Sequence, residues 1–240
     1  MELTIKIAGA LASVMVLGAM LGAVLLLSYA QLTGPKQRPE LPRGFFARVI
    51  ALELAETPEQ VKNILDQPDR DARSEIRKGT YVDFVFIAAY WLLFIALSAL
   101  LAQRDITLAI PLAVVAAVCA TAAAQVDFLE NLRLFALLDL SPEASDTEIS
   151  WVAKGVRDAA LLKFGLSFVA AALLAQVFLW HDDWRLLGIG ILYLIAAAIG
   201  LFGVWRYPVA VQWGFLLLAL GIIFIAAALT LIPHKITTGS

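Results

Sequence analysis

The chain has 240 residues, of which 61% are hydrophobic and 16% charged, with a mean hydropathy of +0.84. That composition lies outside the range of water-soluble globular domains and points to lipid as the main solvent. A formal net charge of −2 gives no basis for nucleic-acid binding, and a single cysteine, Cys119, excludes an internal disulfide and a cysteine metal cluster.

The first apolar run, residues 5–27, is longer than a signal-peptide core and reads as a retained transmembrane helix. Its Gly18 and Gly22 form a G-x-x-x-G pair suited to close helix contact. Residues 30–80 form the one long polar segment. Pro35, Pro39 and Pro42 hold its start extended. The stretch 45–56 then suits an amphipathic helix lying on the membrane surface or over the mouth of a bundle. Thr57-Pro58-Glu59-Gln60 predicts a second helix running to about Leu65, with Thr57 as N-cap, Pro58 at the first helical position and Gln60 closing a capping box.

Five further apolar runs follow, at 81–102, 106–126, 159–180, 186–205 and 209–232. At 1.5 Å per residue each can cross a hydrocarbon core of ~30 Å. The expected fold is therefore all-α: a single membrane domain built as a bundle of six transmembrane helices, with a short amphipathic helical segment between spans 1 and 2. The turn at 103–105 is so short that spans 2 and 3 form an antiparallel hairpin, and the helical pattern after Val126 continues to about Leu138. Trp180, Trp184, Trp205 and Trp213 stand at run ends, where aromatic anchors belong, and Gly188, Gly190, Gly200 and Gly203 suggest close contacts along the fifth span. Nine Lys and Arg in residues 30–80, with Lys154, Arg157 and Arg206, lie on the side of the long loop against Lys6, Arg104, Arg185 and Lys235 on the other, so the positive-inside rule puts that loop in the cytoplasm and both termini outside.

The six-span topology also brings polar residues to one level. Asp127, Glu130 and Asn131 share one helical face at the end of the third span, Asp83 opens the second and Lys163 lies about one turn inside the fourth. Tyr90 is on the face of Asp83, two turns deeper. Charged groups at such depth either pair or bind something, so these six residues form the candidate ligand-binding site. If Lys163 neutralises only part of the charge, Asp83, Asp127 and Glu130 present the oxygen ligands of a hard divalent cation such as Mg²⁺ or Ca²⁺. Below them Ala113, Ala116, Ala120, Ala123 and Ala124 make a small-residue wall that could line a groove for an acyl or isoprenoid chain. The two histidines, His181 and His234, stand at the ends of apolar runs, so no haem or iron–sulfur cluster is expected.

Three pieces, Glu53-Leu-Ala with Thr57-Pro-Glu-Gln and Ile64-Leu, Asp83-Phe-Val-Phe-Ile-Ala-Ala-Tyr90, and Asp127-x-x-Glu130-Asn131 followed by Lys163-Phe164, together resemble a family of uncharacterised bacterial multi-spanning inner-membrane proteins over residues 50–165. The resemblance implies a multi-pass protein of the bacterial inner (plasma) membrane and the grouping of Asp83, Tyr90, Asp127, Glu130, Asn131 and Lys163 as one unit; it transfers no activity. The CDP-alcohol phosphotransferase, prenyltransferase, nucleophile-elbow, lipid-phosphatase, H-E-x-x-H and Walker A signatures are absent. Three functional readings stay open: a protein that binds or moves a small amphiphile, lipid or ion; a structural or accessory subunit of a membrane complex; and a membrane-embedded carboxylate or metal enzyme acting on a lipid-like substrate. The expected partners are membrane lipids and either a second copy or a membrane-complex subunit.

Overall fold

The computed structural model describes residues 44–45, 48–65, 72–102, 107–141, 143–180 and 184–231. Every regular element among them is helical: α1 (Arg48–Glu53), α2 (Pro58–Leu65), α3 (Ala72–Ala102), α4 (Ala109–Leu138), α5 (Asp146–Leu174), α6 (Gln176–Leu179), α7 (Trp184–Trp205) and α8 (Val209–Leu231). Four helical stretches are long and apolar enough to cross a membrane, namely α3, α4, the continuous Asp146–Leu179 formed by α5 and α6, and α7, which marks a membrane-embedded protein. The other two expected spans are not among those four. Run 5–27 lies outside the described residues, and α8 counts only as a shorter apolar helix over Val209–Ile222.

Each long helix sorts its residues by size. On α4, Ala113, Ala116, Ala120 and Ala123 are buried while Ile110, Val114, Val115 and Val118 are more than half or half exposed. The alanines let α4 and α5 approach closely, and the branched face is left to lipid, where it has no need of cover. Between α7 and α8 the same job falls to glycine. A Cβ at Gly214 would lie 2.7 Å from the Gly200 Cα, and one at Gly203 would lie 2.5 Å from the Val211 backbone nitrogen. Gly190 is similarly closed in by Leu179, whereas a Cβ at Gly188 would meet nothing within 4 Å, so that glycine is not a contact position.

Two hydrophobic cores result. One fills the apolar half of the bundle with residues such as Leu97, Leu101, Ala120, Phe168, Leu174 and Tyr193. The second lies beyond the apolar runs. There α3 already begins at Ala72, α5 begins at Asp146, and α4 continues to Leu138 as its pattern predicts. These overhanging turns enclose Leu134, Leu137, Ile149 and Val156 together with Leu52 of α1 and Ile64 of α2.

Polar groups fasten this second layer. Arg73 Nη1 donates to the Leu138 and Leu140 carbonyls at 2.9 and 2.8 Å, covering the open end of α4. Ser145 and Glu148 form a reciprocal capping box on α5. The α2 start follows its sequence signal, with Gln60 N donating to Thr57 Oγ1 at 3.2 Å. The Gln60 side chain, however, accepts from Glu56 N at 2.7 Å, one residue before the cap. Among the described residues of stretch 45–56, the helix is α1. With Ala51, Leu52 and Glu53 buried, α1 packs over the bundle mouth instead of lying on the membrane surface.

Candidate functional site

The boundary between the two cores is where the polar residues meet. Helices α3 and α4 run antiparallel, so rising numbers on one face falling numbers on the other. Tyr81 packs on Phe135, Asp83 faces Asn131, and Trp91 Nε1 donates to Thr121 Oγ1 at 3.1 Å. In that register Asn131 Nδ2 donates to Asp83 Oδ2 at 2.8 Å and Tyr90 OH donates to Asp127 Oδ2 at 3.0 Å.

From α5, Lys163 completes the arrangement. Its Nζ lies 2.9 Å from Asp127 Oδ1, 2.8 Å from Glu130 Oε2 and 3.5 Å from Glu53 Oε2. All six residues expected at the site therefore belong to one cluster. Arg157 and Arg133 take no part in it: Arg157 pairs with Glu56 at 2.6 Å and Arg133 donates to the Gly155 carbonyl.

The residue that sequence reasoning missed is Glu53. It arrives on α1, from outside the long helices, and is 5% exposed. The signal was present: Val49, Ile50 and Glu53 fall on one helical face, and all three border the same cavity. Burial holds the Glu53 carboxyl above its ordinary range, although Lys163 pulls the other way.

Charge and hydrogen bonding are unbalanced here. Among the described residues Lys163 alone forms ion pairs with this group, against four carboxylates. Glu130 is fully buried, its Oε1 accepts no hydrogen bond, and its Oε2 faces Nζ off the hydrogen-bonding direction; Glu53 Oε2 accepts none either. Asp83, Asp127 and Glu130 do not converge as the trio of cation ligands expected from their level. Lys163 Nζ occupies the point where Asp127 and Glu130 meet, and Asp83 turns to Asn131. Among the described residues no group of three or more His, Cys, Asp and Glu side chains is disposed to share a metal ion.

Against the cluster lies a cavity of about 150 Å³. One water needs roughly 10–15 Å³ measured this way, so the space suits a larger group. Glu53, Asp83, Tyr90, Asp127, Asn131 and Lys163 border it, with Ser167 a turn further along α5. Phe86 and Phe94 of α3, Phe164 of α5, and Phe215, Leu218 and Ile222 of α8 supply its apolar lining. No α4 alanine borders it. The expected alanine groove is instead a helix-packing seam, because Ala113, Ala116 and Ala120 are consumed by contact within the first core.

Comparison with known proteins returned no matching family model, no matching curated protein and no matching solved structure.

Proposed function

We propose that the protein is a multi-pass membrane protein that binds an amphiphile, with the head group at the Glu53–Asp83–Asp127–Lys163 cluster and the chain against Phe94, Leu218 and Ile222. The observation that carries this reading is the cavity itself: charged and hydrogen-bonding groups border the same space as a set of aromatic and aliphatic side chains, and an amphiphile is the ligand class with both halves. A purely structural salt-bridge network has no use for the cavity. The reading includes six spans in a bacterial inner membrane, with the 30–80 loop in the cytoplasm, as the Lys and Arg distribution favours. The ligand then enters from the cytoplasmic leaflet, at the level where α1 covers the bundle.

Native mass spectrometry of the full chain, purified in a neutral detergent, tests this. Wild type is expected to retain an adduct of lipid mass. Leu218→Trp, which fills the cavity from its apolar lining, is expected to lose it with helix content unchanged by circular dichroism. A wild-type protein free of adduct across detergents would sink the reading.

A further inference from the structure

The chemistry of the cavity also selects the head group. This step rests on the amphiphile reading above. The charged groups facing the space are Glu53 from α1, Asp83 from α3, Asp127 from α4 and Lys163 from α5, with the Tyr90 hydroxyl beside them; the described α8 residues that border it are apolar. Lys163 is already committed, since Asp127 and Glu130 hold it at 2.9 and 2.8 Å. Among the described residues, no cation other than Lys163 pairs with the Glu53 and Asp83 carboxyl groups at the cavity wall. The buried Glu53 Oε2 atom, which among the described donors meets only Lys163 Nζ, at 3.5 Å and outside hydrogen-bonding geometry, supplies an acceptor that is already desolvated.

The aromatic groups point the same way. Phe86 lies 5.5 Å from the Tyr90 ring and 6.0 Å from Phe215, and Phe215 lies 6.1 Å from Phe164, so four rings border the space next to the carboxylates. Ring faces carry negative potential, and carboxylates combined with aromatic faces are the usual surroundings of an ammonium group. The site already shows this pairing once, with Lys163 Nζ 4.9 Å from the centre of the Phe164 ring. An anionic head group would meet only acceptor oxygens at Glu53 and Asp83, whereas an ammonium group supplies donors and favours the ionised Glu53 carboxylate that burial alone disfavours.

We propose that the amphiphile bound here carries a cationic nitrogen, an ammonium head group held by the Glu53 and Asp83 carboxylates and flanked by the Phe86 and Phe215 rings. Lys163 acts as the internal counter-ion that keeps Asp127 and Glu130 from competing for it.

Calorimetric titration of the full chain in a neutral detergent, using probes with one twelve-carbon chain, decides the matter. The probes are dodecylammonium, dodecyltrimethylammonium, dodecyl sulfate and dodecanol. Saturable binding of the two cations, at least tenfold tighter than that of the sulfate or the alcohol, is the expected result. Asp83→Asn is expected to weaken the cations about tenfold while the alcohol is unaffected, and Glu53→Gln, of nearly the same shape, gives a second reading should Asp83→Asn unfold. Equal or tighter binding of the sulfate or the alcohol would overturn the head-group assignment and leave the amphiphile reading standing. If none of the four probes saturates, both readings fall.

Discussion

Among the described residues, Lys163 alone supplies the positive charge that holds the polar cluster together. Removing one partner from a buried ion pair leaves the other uncompensated, at a cost of about 3–5 kcal/mol. Lys163→Met should therefore lower stability by that order, read as a shift in the denaturation midpoint in mixed micelles. Adding Glu130→Gln should recover part of the loss, because the amide no longer presents an unpaired buried charge. Strict additivity of the two changes would show that the 2.8 Å contact between them carries no coupling. At this scale the site was largely legible. The spacing of Asp127, Glu130 and Asn131 sets them on one face, and topology alone brings Asp83 and Lys163 to their level. What the sequence could not show is which carboxylate Lys163 would choose, or that Asn131 would turn to Asp83. Those choices depend on ångström-scale helix offsets that no residue pattern encodes.

Between helices, backbone proximity decides which glycines matter. Gly214 and Gly188 have the same residue type in neighbouring apolar helices, and opposite consequences are expected. Gly214→Ala drives a methyl into the Gly200 backbone at 2.7 Å and should destabilise markedly. Gly188→Ala meets open space and should be neutral or gain up to about 1 kcal/mol from helix propensity. Thermal melting of the two variants in one detergent checks the contrast, and equal behaviour would contradict the α7–α8 packing. Composition marked all four glycines of the fifth span alike, since a glycine's neighbours are a tertiary property. The Thr57 and Pro58 start signal, by contrast, is local chemistry, and α2 begins where it says. Glu53 lies between these cases. Its helix was expected within 45–56, but its burial depends on α1 docking over residues far away in the chain.

Across the whole molecule, orientation can be tested by labelling. In a Cys119→Ala background, Glu59→Cys and Ala144→Cys should be protected from a membrane-impermeant maleimide in intact cells, while Arg185→Cys should react. The inverse pattern would reverse the topology, and a mixed one would break the six-span count. Apolar runs disclosed where the chain can enter lipid. They concealed how far the helices extend beyond it, because the overhanging turns of α3 and α5 are polar on one side and read as loop. That extension creates the second core, and with it the ledge on which α1 rests.

Ion pairs from Arg157 to Glu56 and from Lys62 to Asp146 tie the α1–α2 segment to α5 at its exposed rim. Screening by salt weakens such surface pairs, while the apolar contacts of Leu52 and Ile64 beneath them are unaffected. Because Glu53 belongs to that segment, a ligand touching both Glu53 and Asp83 is thermodynamically linked to the docking of α1. Linkage is reciprocal: whatever binds or modifies the outer surface of α1 and α2 changes ligand affinity by the same factor by which the ligand changes its own.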